Sequence, residues 1–235
     1  MAFYMLPILQ TGIMESHAVK IIEIHDVTHD VKYFRLEKPT GYNFVPGQAT
    51  EISLSIPGWE EERRPFTFTA LNEAPYLEFT IKGYPDHDGV TKRLHELKPG
   101  DTINIHDVWG AISYKGPGYF IAGGAGITPF IAILRQLYKD QKITDNYLFF
   151  SNKTAADIIY ESELNQILGK NVRHTLTKEK KDGFDNRKID ASYLKEQIKD
   201  FNKHFYVCGP DQMVKDISAA LEELGAKADA VVFEK

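Results

Sequence analysis

A glycine-rich segment, FIAGGAGITPF over residues 120–130, carries the residue types that phosphate binding needs. Glycine lets backbone N–H groups approach a pyrophosphate without an intervening Cβ, and the N-terminus of a helix favours an anion. Thr128 suits the N-cap and Pro129 the first helical position. A plain tight turn is the alternative, because Pro129 stands where the dinucleotide-binding pattern G-x-G-x-x-G has its third glycine. The predicted pyrophosphate residues are Gly124, Ala125, Gly126, Ile127, Thr128 and Pro129.

A second segment, RRPFTFTA over residues 63–70, combines a permanent positive charge with alternating side chains. Alternation places Arg64 and Phe66 on one face of a strand and Thr67 on the other. Pro65 removes a backbone donor, which marks an edge or a gap in strand pairing. Taken alone, the segment favours a surface arginine beside a core strand, with a binding site as the alternative.

A third segment, FYVCGPDQM over residues 205–213, is an apolar run that ends in Cys208, Gly209 and Pro210. Taken alone, it favours a buried cysteine followed by the start of a helix. It repeats the arrangement of the glycine-rich segment, in which a strand end meets a helix start. Open α/β sheets bind their ligands at such positions.

Composition and charge exclude several classes of protein. The 235-residue chain has a formal net charge of −5, which argues against a nucleic-acid binder. Its single cysteine, Cys208, cannot form an internal disulfide or by itself hold a metal cluster, so we expect no metal site and a cytoplasmic location. No run of about 18 apolar residues predicts a membrane span. Residues 1–16 are predicted to be an N-terminal extension without a signal peptide.

Short strands and turns dominate residues 17–115. Runs such as VKIIEIHDV, VKYFRLEK and YLEFTIKGY are rich in β-branched and aromatic residues, and turn-forming segments separate them. This rhythm predicts an antiparallel β-barrel domain. GVTKRLHEL, residues 89–97, is predicted to be a short helix within it.

Strands and helices alternate over residues 116–235. The apolar runs YFIA, NYLFF, VRHTL, HFYVC and AVVFE are typical of strands buried on both faces of a parallel sheet. Thr154 and Asp157 form a capping-box pattern ahead of a helix predicted in IIYESELNQIL, and Asp190 is suited to cap the next helix. The pattern predicts a doubly wound α/β domain.

In this order, the segments resemble the ferredoxin/flavodoxin–NAD(P)H oxidoreductase superfamily over nearly the whole chain. RPFT at 64–67 is similar to the family's flavin motif, and DGVTKRL at 88–94 to its turn under the flavin phosphates. GGAGITP is similar to its pyrophosphate loop and CGP to the end of its nicotinamide strand. The resemblance implies an FAD-binding barrel at 17–115 and an NAD(P)-binding α/β domain at 116–235.

The resemblance assigns the flavin to the barrel. Arg64 would pair with the flavin pyrophosphate through its bidentate guanidinium, Phe66 would stack on the ring, and Thr67 would hydrogen-bond near N5. Lys82 would add charge nearby, although a solvated strand lysine fits its position equally well. The flavin residues implied are Arg64, Pro65, Phe66, Thr67, Ile81, Lys82, Gly89, Val90 and Thr91.

The resemblance assigns the nicotinamide nucleotide to the α/β domain. It implies a catalytic set of Thr67, Cys208 and Glu234, with Phe233 covering the flavin. A solvated carboxylate at Glu234 and a core position for Phe233 are the alternatives. Besides the glycine-rich turn, the nucleotide residues implied are Ser151, Asn152, Lys153, Cys208, Gly209, Pro210, Met213 and Phe233.

The loop after the second parallel strand, FFSNKTAAD, should meet the adenosine ribose. NADH usually requires a carboxylate there, whereas the 2′-phosphate of NADPH requires a cation and a hydroxyl. Ser151, Asn152 and Lys153 come first, and no acid follows before Asp157. The sequence therefore slightly favours NADPH over NADH.

The function implied is hydride transfer from NAD(P)H to the N5 atom of FAD, followed by electron transfer to a separate carrier. A flavodoxin or a ferredoxin is the expected partner, because the chain lacks the four-cysteine segment of reductases with their own [2Fe–2S] domain. A free-flavin or ferric-chelate reductase is an alternative within the same class. A non-catalytic flavin- or nucleotide-binding module is the alternative from a different class.

Overall fold

An antiparallel sheet forms the first half of the protein in the computed structural model, which describes residues 16–110, 112–227 and the backbone of 231–233. Its strands are β1 (His17–Thr28), β2 (Val31–Glu37), β3 (Gln48–Leu54), β4 (Arg64–Thr67), β5 (Tyr76–Lys82) and β6 (Thr102–Gly110), and helix α1 (Val90–Glu96) follows β5. The strand order is β4-β3-β6-β1-β2-β5. Residues 1–15 of the predicted N-terminal extension lie outside the described residues.

The two edges of this sheet meet. Just beyond β4, the amide of Thr69 donates to the carbonyl of Glu78 on β5 at 2.9 Å. The sheet therefore curls into a barrel around a core of buried aromatic and aliphatic side chains. In this core, the rings of Phe44 and Phe68 are stacked with their centroids 4.1 Å apart. The predicted barrel and its short helix are confirmed.

A parallel sheet forms the second half. Its elements are β7 (Gly118–Gly123), α2 (Thr128–Lys139), β8 (Tyr147–Asn152), α3 (Glu161–Leu168), β9 (Val172–Leu176), α4 (Ala191–Gln197), β10 (His204–Cys208), α5 (Asp211–Glu223) and β11 (Val231–Phe233). The strand order is β11-β10-β7-β8-β9, and every pair is parallel. Apolar clusters cover both faces, one formed with α2 and α3 and the other with α4 and α5. The predicted doubly wound domain is confirmed.

The strand order places a topological switch point between β7 and β10. The chain leaves β7 towards β8 on one side, while β10 lies on the other. The connections therefore diverge at the carboxyl ends of these two strands, at Gly123 and Cys208. Open α/β sheets bind ligands in the crevice that such divergence creates.

Two of the predicted helix caps are wrong in detail. Thr128 is already helical, because a 3₁₀ turn over Gly124–Ile127 continues directly into α2. The capping box of Thr154 and Asp157 is present, but it closes a 3₁₀ turn at Ala155–Asp157 and not α3. The predicted cap of α4 is confirmed, since Asp190 accepts from the amide of Tyr193 at 2.8 Å.

A polar cluster crosses the boundary between the domains. His29, in the turn after β1, lies 3.6 Å from a carboxylate oxygen of Asp30 and 3.7 Å from one of Asp157 in the α/β domain. Asp30 also pairs with the ammonium of Lys82 at 2.7 Å, and this cation would compete with a metal ion.

Across the described ranges, no helix is long and apolar enough to cross a membrane.

His174 on β9 makes the stability of the fold sensitive to pH. Its ring lies near those of Phe150 and Phe184, with centroids 5.9 and 6.1 Å away. Nε2 lies 3.2 Å from the amide oxygen of Asn165, so a neutral ring can donate there. Burial lowers the pKa of His174 from 6.5 to about 4.

We expect the folded protein to lose stability as pH falls from about 6.5 to about 4, because the unfolded chain takes up a proton that native His174 refuses. The loss should be on the order of 3 kcal/mol. Urea unfolding at several pH values should show a smaller drop over this window in His174→Asn. An identical pH slope in both proteins would refute the assignment.

Candidate active site

A cleft of about 490 Å³ opens where the switch point faces the barrel. Its lining residues are Lys82, Tyr84, Gly123, Ala125, Gly126, Thr128, Lys153, Cys208, Gly209 and Pro210. The α/β domain contributes the glycine-rich turn, Lys153 after β8 and the end of β10 to this cleft. The barrel contributes Lys82 and Tyr84 at the end of β5. Tyr84 is a lining residue that the sequence prediction missed, whereas Gly123 belongs to the predicted GGAGITP loop but was not named among its pyrophosphate residues. The available signal for Tyr84 was an aromatic residue two positions after Lys82, a spacing that places both side chains on one face of a strand.

Glycine is required in the turn because other backbone lies directly against it. A Cβ on Gly126 would lie 2.4 Å from the carbonyl oxygen of Cys208 and 2.6 Å from the nitrogen of Gly209. A Cβ on Gly123 would lie 2.4 Å from the sulfur of Met213. Gly124 has φ = +52°, which L residues rarely adopt. The turn therefore packs onto the end of β10 and leaves bare backbone along the cleft.

Two helix N-termini and the unpaired charge of Lys153 in the described residues give the cleft a positive character. Helix α2 begins at Thr128, whose hydroxyl donates to the carbonyl of Ala125 at 3.0 Å, and α5 begins just after Pro210. Lys153 is exposed, whereas Lys82 is paired with Asp30. These features favour an anionic ligand.

The ion pair of Lys82 orients its side chain at the cleft. Burial opposes the ionisation of Asp30, but the hydrogen bond and charge of Lys82 outweigh this effect and hold the pKa of that carboxyl below its usual value. Thr28 also donates to Asp30, at 3.1 Å. Lys82 is therefore held at the mouth of the cleft by a partly buried carboxylate.

The predicted flavin residues lie on β4 and nearby in the barrel. Arg64 and Pro65 are exposed, Phe66 is partly buried against the barrel core, and Thr67 is buried. The guanidinium of Arg64 donates to the carbonyl of Arg63 at 2.6 Å and lies 3.7 Å from the carboxylate of Glu62. Such an exposed ion pair is weak, so the guanidinium can exchange this partner for another anion.

Three other predicted flavin residues surround the start of α1. Gly89 precedes the helix with extended backbone, the side chain of Val90 is buried in the barrel, and Thr91 is partly exposed. Ile81 is also buried, and its carbonyl accepts from His95 at 2.9 Å. None of these residues lines the cleft itself.

The predicted nucleotide residues on β8 and β10 differ in exposure. Ser151 is partly buried, and Asn152 is buried with neither side-chain amide atom hydrogen-bonded within the described chain. Ile127 is buried in the domain core, and Pro129 is buried in the first turn of α2. The backbone of Phe233 pairs with that of Val207 on β10. Its side chain, like Glu234, lies outside the described residues.

Comparison with known proteins identifies the family. Residues 18–114 match the family described as "Oxidoreductase FAD-binding domain", and residues 120–219 match "Oxidoreductase NAD-binding domain". The chain belongs to the ferredoxin/flavodoxin–NAD(P)H oxidoreductase superfamily, as its motifs predicted. The predicted two-domain fold is confirmed with it.

Three similar proteins illustrate the range of the family. The reductase component of propane 2-monooxygenase from Rhodococcus jostii is 26% identical, and the match covers 92% of this chain and 62% of that protein. NADH-cytochrome b5 reductase 1 from Aspergillus terreus is 29% identical, over 85% of this chain and 75% of that one. A ferredoxin NADP+ reductase structure from Neisseria gonorrhoeae, with bound FAD and NADP, has a TM-score of 0.81 at 21% identity, covering 93% and 98% of the two chains. The chain thus spans less than two thirds of the Rhodococcus relative.

Gly126→Ala should destabilise the α/β domain, because its Cβ would meet the backbone of Cys208 and Gly209. We expect a loss of about 1–3 kcal/mol in the free energy of unfolding, measured with urea. Gly209→Ala is the matched comparison, since its nearest backbone contact would be 3.2 Å and the loss should be smaller. Equal stability of Gly126→Ala and the wild type would contradict this packing.

Proposed function

We propose that this chain is an FAD-dependent reductase that takes a hydride from NADPH or NADH and passes electrons to a separate carrier protein. The observation that carries this proposal is the cleft, in which the ends of β7 and β10 face Lys82 and Tyr84 of the barrel. The cleft lies between a barrel of the FAD-binding family and a domain of the NAD-binding family, so it suits a reaction in which the two ligands must meet. The domain limits of the proposal remain 17–115 and 116–235.

The barrel residues fit a flavin dinucleotide. The guanidinium of Arg64 is exposed and weakly paired, so it can bind a pyrophosphate with two parallel hydrogen bonds. Phe66 offers a partly buried aromatic face beside it. Bound FAD would supply the ability to accept a hydride and release electrons singly. Thr67, at the end of β4, is the residue proposed to hydrogen-bond the reacting edge of the ring.

The α/β residues fit a nicotinamide dinucleotide. The bare backbone of residues 123–126 and the N-terminus of α2 suit a pyrophosphate. Cys208, which lines the cleft at the end of β10, is proposed to pack against the nicotinamide. The protein's contribution to hydride transfer is then to hold two rings at about 3–3.5 Å and to exclude water. Glu234 completes the proposed catalytic set.

The coenzyme is proposed to be NADPH or NADH, with the local charges supporting NADPH. Lys153 is exposed at the cleft and can meet a 2′-phosphate. Asp157 accepts from the amide and hydroxyl of Thr154, both at 2.7 Å, so its carboxylate is already engaged and unsuited to a ribose. The names of the similar cytochrome b5 reductases, in contrast, point to NADH.

The electron acceptor is proposed to be a small cytoplasmic carrier protein, a flavodoxin or a ferredoxin. The relatives are named as the reductase component of a propane 2-monooxygenase and as an NADH-cytochrome b5 reductase, and both names point to a protein that receives the electrons. The family thus supports a protein as the acceptor, and the single cysteine in these 235 residues cannot by itself hold an iron–sulfur cluster.

Purified full-length protein should be yellow and should bleach when NADPH or NADH is added without oxygen. Absorbance titration with each nucleotide measures both the reduction and the coenzyme preference. A protein that stays yellow with both nucleotides is a non-catalytic module, which would refute the proposal. Rapid turnover with free flavin or a ferric chelate, but none with flavodoxin or ferredoxin, would refute the proposal that the acceptor is a carrier protein.

Lys153→Ala should raise the Kd for NADPH roughly tenfold, because a charge-assisted phosphate contact is lost, and should leave that for NADH unchanged. Lys142→Ala is the control, since this exposed lysine follows α2 at the opposite end of the sheet. Binding can be followed by perturbation of the flavin spectrum. Equal weakening of both nucleotides by Lys153→Ala would contradict the 2′-phosphate contact.

A further inference from the structure

One guanidinium joins three segments across the domain boundary. Arg135 lies on α2, and its Nη1 donates to the Glu78 carboxylate at 2.6 Å and to the Thr69 carbonyl at 2.7 Å. Its Nε and Nη2 donate to both carboxylate oxygens of Glu163 on α3, at 2.6 and 2.9 Å. Glu78 and Thr69 belong to the barrel, whereas Arg135 and Glu163 belong to the α/β domain. Arg135 therefore binds both domains at once.

The barrel side of this contact is buried and internally bonded. Glu78 is 5% exposed and Thr69 is fully buried. The hydroxyl of Thr69 donates to the carboxylate of Glu78 at 2.9 Å, so this acceptor is held in place before Arg135 reaches it. Burial alone would lower the pKa of Arg135, but Glu163 and Glu78 outweigh that effect and raise it. The guanidinium is thus a permanent charge between two carboxylates.

Tyr160 makes a second bond across the same boundary. Its hydroxyl lies 2.9 Å from that of Thr80 on β5, and its ring lies 5.4 Å from the guanidinium of Arg135. Tyr160 adopts φ = +53°, an unusual conformation for a tyrosine. Burial raises its pKa to about 12, so the hydroxyl stays protonated and able to donate. The backbone of Tyr160 is therefore strained at the residue whose side chain contacts the barrel.

These contacts connect the segments that carry the candidate site. Helix α2 bears the glycine-rich turn at its N-terminus, two turns before Arg135. Glu78 lies four residues before Lys82 on β5, and Thr69 lies two residues after Thr67. A shift of Arg135 would therefore move the nucleotide turn relative to the flavin strand.

We propose that Arg135 is a positioning residue, which fixes the barrel and the α/β domain so that nicotinamide and flavin meet at reacting distance. This inference rests on the proposed function. Hydride transfer is steeply sensitive to such placement, whereas binding of each ligand depends mainly on its own domain. Lysine keeps the charge but lacks the planar fork, so it cannot serve two carboxylates and a carbonyl together.

Arg135→Lys should lower the limiting rate of flavin reduction at saturating nucleotide tenfold or more. The Kd of the nucleotide and the flavin content should stay close to wild type. Stopped-flow reduction with increasing nucleotide separates the rate from the Kd. Arg187→Lys is the matched control, because Arg187 pairs with Glu196 at 2.7 Å and covers the ring of Tyr193 within one domain.

A second readout needs no bound ligand. Spin labels at Lys98→Cys in the barrel and Lys195→Cys on α4 report the distance between the domains, and Cys208→Ser removes the native thiol that lines the cleft. Pulsed electron resonance should give a narrow distance distribution in the otherwise wild-type chain and a broader one with Arg135→Lys. Tyr160→Phe, which removes only the bond to Thr80, should shift both readouts less and in the same direction. It replaces Arg135→Lys if that variant does not fold.

The inference is overturned if either the rate or the distance distribution stays as in wild type, or if the rate falls only through weaker nucleotide binding. A wild-type chain that neither nucleotide reduces would instead refute the proposed function. In that case, an unchanged distance distribution in Arg135→Lys would still refute the role of Arg135 in fixing the domains.

Discussion

The candidate site depends on one close approach between two segments of backbone. The turn at Gly126 lies so near the end of β10 that even a methyl group would meet the carbonyl of Cys208 at 2.4 Å. This contact brings two helix N-termini, those of α2 and α5, to the same crevice. Strand order makes the approach possible, because β7 and β10 are neighbours whose connections diverge. Without this contact, the glycine-rich turn and the end of β10 would not line one cleft.

Charge is distributed so that the cleft stays available to an anion. Acidic groups near the cleft are engaged by other partners: Asp30 by Lys82 and Thr28, and Asp157 by Thr154 and His29. The lining side chains that carry charge are lysines. The chain as a whole has a net charge of −5, so the positive character of the cleft is local. Local placement, and not overall composition, decides which ligand this site favours.

The two helix caps that differ from prediction have a common physical reason. The hydrogen-bonding residues were identified correctly, but tertiary contacts decided which turn they close. At Asp157 the box closes a short turn, since the chain must continue to Tyr160 and deliver its hydroxyl to Thr80 of the barrel. At Thr128 the preceding glycines fold into a 3₁₀ turn against β10, which carries the helix one turn further back. Local propensity is overridden by tertiary packing, against the barrel at Tyr160 and against β10 of the same domain at the glycine-rich turn.

The sequence alone determined the strands, the helices, the order of the motifs and the family, because periodicity, turn residues and glycine spacing are local properties of the chain. It also predicted that Lys153 and Cys208 lie at strand ends, and both residues line the cleft in the structure. Only the tertiary structure decided that Tyr84 lines this cleft and that Arg135 meets Glu78, a residue 57 positions away. A lone arginine in the apolar pattern of α2 carries no sign of its partners. Such contacts depend on how two finished domains pack, and no local pattern encodes that packing.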